Sequence, residues 1–133
     1  MKKTAMGMIA LFILMACSGG ADLSEAGAAG ARRAAEYFYS LLADGNGRAY
    51  VDNMQEAAEM DSSKYGQFVD LMEQYLYEEK QLRGGILGAK ATRETMQQDD
   101  SIAWVFLDVQ FGDSTCEEIF VPLIYTRGRW WLR

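Results

Sequence analysis

The chain of 133 residues contains no histidine, and that absence limits its chemistry more than any motif it has. A histidine metal site, a Ser-His-Asp triad and a histidine proton shuttle are all excluded. What remains is two cysteines, Cys17 and Cys116, and nineteen carboxylates. Asp99-Asp100 and Glu117-Glu118 are acidic pairs. Calcium needs more oxygen ligands at loop spacing, so both pairs read as solvated surface. Asp108 differs in being the one carboxylate inside a strongly apolar run. Arg127, Arg129 and Arg133, beside Trp130 and Trp131, have the chemistry to grip an anionic partner or a polysaccharide; their plainer role is to keep a sheet edge soluble. With no phosphate-cradling loop, paired-cysteine knuckle or internal repeat, no cofactor is expected.

Half of the residues are hydrophobic and 24% are charged, which suits one folded domain with a modest core. A formal net charge of −6 leaves no basic stripe to neutralise phosphates, so nucleic acid is not an expected partner. Lys2 and Lys3 precede the apolar run Ala5 to Ala16, too short to span a bilayer comfortably but matched to a signal-peptide core. The run stops at Leu14-Met15-Ala16-Cys17 and gives way to Ser18-Gly19-Gly20.

That junction resembles the lipobox of bacterial lipoproteins. The resemblance implies that residues 1–16 are removed, that Cys17 is acylated, and that the chain is held at a membrane of the cell envelope, facing the periplasm. Without Lys2 and Lys3, eleven basic side chains face nineteen acidic ones, a balance of −8. Acyl chains rather than headgroup attraction must then supply the anchoring. With Cys17 acylated, Cys116 has no intramolecular partner. It is expected as a small buried hydrophobe, a reactive thiol being the other reading.

The elements follow from periodicity. Residues 17–30 are Gly- and Ala-rich and read as the acylated Cys and its tether, although Asp22 and Glu25 form an imperfect capping box. From Ala31 a helical stripe of Ala34, Phe38 and Leu41 runs to the breaker Asp44-Gly45-Asn46-Gly47. A second short helix places Tyr50, Met54 and Ala57 on one face. Asp61-Ser62-Ser63 starts a third, with Tyr65, Phe68, Leu71, Met72, Tyr75 and Leu76 along its stripe until Gly84-Gly85. The period then changes to two: Ile86 to Met96, Ile102 to Phe111, Cys116 to Thr126 and Arg129 to Arg133 read as four strands of a meander, with Pro122 favouring an edge or a bulge. The expected fold is α+β, with N-terminal helices packed on one face of a curved four-stranded antiparallel sheet and the domain spanning residues 31–133.

Alternation assigns Val105, Leu107, Val109 and Phe111 to one face of the strongest strand and Trp104, Phe106, Asp108 and Gln110 to the other. Ile119, Val121, Leu123 and Tyr125 oppose Phe120, Pro122 and Ile124 in the next strand. Helices cover one face only, so Trp104, Phe106, Phe120 and Ile124 form a candidate interface for a second copy or an envelope protein. Scattered surface aromatics and a ligand under a curved sheet are the alternatives.

The segment Ala34 to Met54, AAEYFYSLLADGNGRAYVDNM, and the tail Phe120 to Leu132, FVPLIYTRGRWWL, resemble the opening and the closing hairpin of cystatin-like and nuclear transport factor 2-like (NTF2-like) domains. Small bacterial lipoproteins of unassigned function are built from one such domain. That superfamily includes isomerases and dehydratases with a carboxylate base and tyrosine donors inside a cone of sheet and helices. On that pattern Asp108 with Tyr37, Tyr50 and Tyr125 forms the candidate pocket. The fold alone does not transfer activity, so a non-enzymatic binding or interaction module is the first expectation and a small-molecule or degenerate isomerase-like domain the alternative.

Overall fold

The structure, a computed structural model, describes residues 22–133; Cys17 and the segment read as a signal peptide lie outside the described residues. Among the described residues three helices precede the sheet: α1 (Gly27–Ala43), α2 (Gly47–Asp52) and α3 (Ser62–Arg83), with a 3-10 turn at Ala57–Glu59 before α3. Strands β1 (Ile86–Gln97), β2 (Ile102–Phe111), β3 (Cys116–Thr126) and β4 (Arg129–Leu132) form one antiparallel sheet in the order β1-β2-β3-β4. The expected α+β arrangement is the one observed.

Helix α1 buries Ala31, Ala34, Ala35, Phe38, Leu41 and Leu42 against the inner sheet face. Small alanines bring the helix close, and Phe38 fills what they leave. It begins at Gly27, inside the stretch assigned to the tether. Gly30 explains why: a Cβ there would lie 1.8 Å from the Glu25 carbonyl oxygen, so only glycine lets the incoming chain cross the helix at this point. The glycine that weakens the helix by propensity is what allows its first turn to pack.

The second helix is shorter than expected. Asn46 caps it by accepting from the Ala49 amide at 3.0 Å, but after Asp52 the chain leaves the helical path. Met54 makes a parallel bridge to Leu132. The Gln55 amide donates to the Leu132 carbonyl at 2.7 Å, and the Leu132 amide to the Asn53 carbonyl at 2.8 Å. The Trp130 amide donates to Leu23 at 2.9 Å. Together these bonds cover the outer edge of β4, which would otherwise stand open for pairing.

Asp61 caps α3 through the Lys64 amide at 2.8 Å. Gly84, at φ +79°, ends it in a left-handed conformation with the Gly85 amide bonded back to Glu79. Val69 is its one fully buried side chain. Phe68, Met72 and Leu76 are half-buried, and Leu71 is 63% exposed, so the expected stripe packs along only part of its width.

The inner sheet face carries Val105, Leu107, Val109, Phe111, Val121, Leu123, Trp130 and Leu132, all buried. Pro122 lies in an inner strand, not at an edge. Its carbonyl accepts from the Arg133 amide just past the end of β4, so the missing N–H falls where the neighbouring strand has run out. Cys116 is exposed, contrary to its expected burial. It opens β3 opposite Gln110, in phase with the outer face.

Candidate functional site

The outer sheet face divides into two halves. Cross-strand partners Phe106 and Phe120, Trp104 and Pro122, and Ile102 and Ile124 sit in register, and Ile124 pairs with Trp131. Trp104 and Phe120 stack with centroids 5.3 Å apart, and Phe106 lies 5.9 Å from Phe120. Such pairs add to the stability of a sheet surface, yet Phe120 remains 50% and Trp104 37% exposed. The Arg93 guanidinium covers Phe106 at 3.9 Å. Towards the other end the face turns polar: Asp108 is exposed, between Lys90 on β1 and Glu118 on β3 in register.

The four candidate pocket residues are not brought together. Asp108 lies on the outer face, away from the helices, because it shares the strand phase of Trp104 and Phe106. The Tyr125 hydroxyl donates to the Ser24 carbonyl at 2.6 Å, and its ring meets Trp130 edge-on at 5.1 Å. It therefore ties down the N-terminal segment. Tyr37 is half-buried on α1, its ring 5.8 Å from Phe38. Only Tyr50 lies where the helices meet, edge-on to Tyr39 at 6.3 Å, and burial pushes its hydroxyl up to about 12. No carboxylate base sits among them.

A different set converges at the helix–sheet mouth. Glu117 belongs to the inner phase of β3, with Ile119 and Val121. Arg83 of α3 bonds it at 3.1 Å and Glu79 at 2.9 Å, while its guanidinium lies 3.8 Å from the centre of the Phe111 ring. Tyr75 stands one helical turn before Glu79. Burial raises the Tyr39 hydroxyl most, and the nearby Tyr50, Tyr75 and Glu117 raise it further. These phenols are neutral donors across the physiological range, and one guanidinium is shared between two carboxylates. The arrangement can hold acceptor groups of a ligand; it has no carboxylate free of its partner. The sequence signal for Glu117 was strand parity, which an acidic pair at a strand start obscured.

Two surface grooves complete the candidates. One of about 450 Å³ lies between the ends of α1 and α3 and the start of β1, with Leu42, Leu76 and Ile86 below and Glu73, Tyr77 and Lys80 at its rim. A second, about 240 Å³, adjoins Leu87, Phe111 and Cys116. Among the described residues no group of three or more His, Cys, Asp or Glu side chains is placed to hold a metal. None of the described helices is long and apolar enough to cross a membrane.

No protein-family model matches the chain, and no curated protein does. Among solved structures, one from Campylobacter jejuni, named as a candidate NTF2-like transpeptidase, matches 74% of this chain and 93% of its own. The TM-score is 0.59 and the sequence identity 13%. At that identity the likeness is one of fold, and the fold is NTF2-like: helices followed by a curved four-stranded antiparallel sheet.

Proposed function

We propose that this chain is an envelope lipoprotein, acylated at Cys17 and facing the periplasm, whose NTF2-like domain is a non-enzymatic interaction module. Its outer sheet face docks a second copy of the chain. The observation that carries the docking is the Trp104–Phe120–Phe106 cluster, left half open on a sheet whose other face α1 already covers. The lipobox-like junction before Cys17 carries the anchorage. The transpeptidase in the neighbour's name belongs to that protein, since a shared fold does not carry an activity across.

The test is native mass spectrometry of the acylated chain released directly from vesicles, beside Phe120→Glu and Trp104→Ala. A wild-type dimer is expected, with both variants monomeric and their circular dichroism unchanged. A complex with another envelope protein that the same substitutions break would replace the second copy as occupant. Variants that associate as the wild type does would refute sheet-face docking.

A second reading, a small-molecule binder, draws on the convergence of Tyr39, Tyr50, Tyr75 and Glu117 at the helix–sheet mouth. It predicts a monomer carrying a reproducible small mass that Tyr50→Trp removes.

A further inference from the structure

The described domain begins almost where the anchor ends. Four residues, 18–21, separate Cys17 from Asp22, so even fully extended the chain reaches about 18 Å from one to the other. The point of entry is fixed as well. The Trp130 amide donates to the Leu23 carbonyl at 2.9 Å, the Tyr125 hydroxyl to Ser24 at 2.6 Å, and the Trp130 indole to Glu25 at 2.8 Å. The anchor therefore emerges beside the β3–β4 hairpin, and that end of the sheet is held near the membrane surface.

The charge here also differs. No acidic side chain follows Glu118 in the sequence, whereas Arg127 and Arg129 border the hairpin turn and Arg133 follows at the far end of the β4 edge, opposite Pro122. Arg127 and Arg129 stack on the half-buried Trp131 ring at 4.6 and 3.7 Å. Arg129 is further held by Asn53 Oδ1 at 2.5 Å and the Trp130 carbonyl at 3.0 Å. Tryptophan at headgroup depth beside guanidinium groups is the side-chain pairing of membrane interfaces, and guanidinium matches phosphate geometry. Of the acidic groups nearby, Glu25 pairs with Arg33 and Glu94 with Arg32. Asp22, which accepts from Ser24, and exposed Glu56, next to the Gln55 amide that bonds Leu132, keep their charges beside three arginines. Asp99 and Asp100 project from the β1–β2 turn, roughly two strand spacings or about 10 Å from the arginine hairpin, which is close to a Debye length. A tilt towards the β4 edge keeps them off the surface.

We propose that the β3–β4 hairpin, through Arg127, Arg129, Arg133 and Trp131, docks on the anionic phospholipid headgroups of the membrane that holds Cys17. This rests on the acylation reading above.

The test uses the acylated full chain in vesicles of phosphatidylethanolamine with phosphatidylglycerol, against vesicles of phosphatidylcholine, each containing brominated lipid that quenches interfacial tryptophan. Intact mass first reads the acylation. Quenching is expected in the anionic vesicles only; it disappears at high salt and in Trp131→Phe and persists in Trp104→Phe. Arg127 and Arg133 are both exposed, so Arg127→Gln/Arg133→Gln keeps the fold and lowers the docked-to-undocked ratio roughly 30-fold. Equal quenching in both vesicles, quenching unchanged by salt or by the arginine pair, or quenching carried by Trp104 overturns the proposal. An acylated chain without quenching overturns the docking alone. A chain without the acyl mass overturns the anchorage and the docking with it.

Discussion

Replacing Trp130 with Phe asks whether residues 23–26 belong to the domain or to a tether. The indole is fully buried, meets Tyr125 edge-on at 5.1 Å and donates to the Glu25 carbonyl at 2.8 Å. Phenylalanine keeps the apolar contact and loses the donor. The lost hydrogen bond costs about 1 kcal/mol, because the part-buried Glu25 carbonyl regains water as the segment loosens. The side chain is also roughly 40 Å³ smaller, which at about 24 cal/mol per Å³ of cavity adds about 1 kcal/mol. For a domain of this size about 2 kcal/mol corresponds to a fall in Tm of roughly 8 °C. Thermal unfolding followed by circular dichroism measures the shift, and hydrogen exchange locates it. The amides of residues 23–30, and that of Trp130 bonded to Leu23, should exchange faster by more than the global loss accounts for. A Tm within about 2 °C of wild type would show that the clamp contributes nothing. So would a full shift with no added exchange at the N-terminal segment.

Three further outcomes follow from the same geometry. Leu107→Ala, at a fully buried position under α1, should cost about 3 kcal/mol in urea unfolding with an unchanged m value. Tyr50, whose folded value of about 12 lies above its ordinary 10.0, contributes stability that is complete below pH 10 and lost as pH rises towards the folded value; Tyr50→Phe should flatten the stability profile over that window. Cys116, exposed at the start of β3, should react with a thiol reagent without denaturant. One thiol per chain titrates if Cys17 is acylated, and two if it is not.

The strands were legible because a period of two is a local property. Ile102–Phe111 and Cys116–Thr126 begin and end where the alternation does, and the same parity puts Trp130 inside and Trp131 outside. Parity also assigned Asp108 to the face of Trp104, and in the structure it sets Cys116 and Glu117 on opposite faces. Composition argued otherwise for Cys116, since free cysteine is usually buried, and the strand's phase overrode it. What the sequence could not display were contacts made by backbone atoms. Tyr50, Met54 and Ala57 satisfy a helical period, but the edge of β4 draws Asn53 to Gln55 out of the helix, through bonds to a residue some eighty positions away. The carbonyls of Leu23, Ser24 and Glu25 bind Trp130 and Tyr125 without any side-chain signature, so ordered chain looked like tether. The tyrosines at the helix–sheet mouth lie on three helices whose mutual packing no single periodicity encodes.

The anchor and the outer-face cluster bear on one another. Only Trp104 and Phe120 in that cluster are exposed, at 37% and 50%, so the patch is small beside the roughly 1,200 Å² of a stable interface. In free solution it would support weak association. Chains held by Cys17, as proposed, would not be in free solution. With the hairpin against the bilayer as proposed, the strands would rise from the surface, and Trp104, two residues from the start of β2, would stand about 7 Å along its strand from the anchored end. Every copy would then present the patch at one height and in one orientation. Confinement of this kind raises effective concentration and removes most of the rotational search, so a cluster too weak to pair in detergent can pair on a vesicle. The acidic excess elsewhere on the domain would act with it: repelled by an anionic leaflet, it would favour the orientation that turns the arginine hairpin towards the surface. Association that strengthens on vesicles, and weakens when Arg127 and Arg133 are neutralised although neither lies in the cluster, would show the two features working together. Association equal in detergent and on vesicles would separate them.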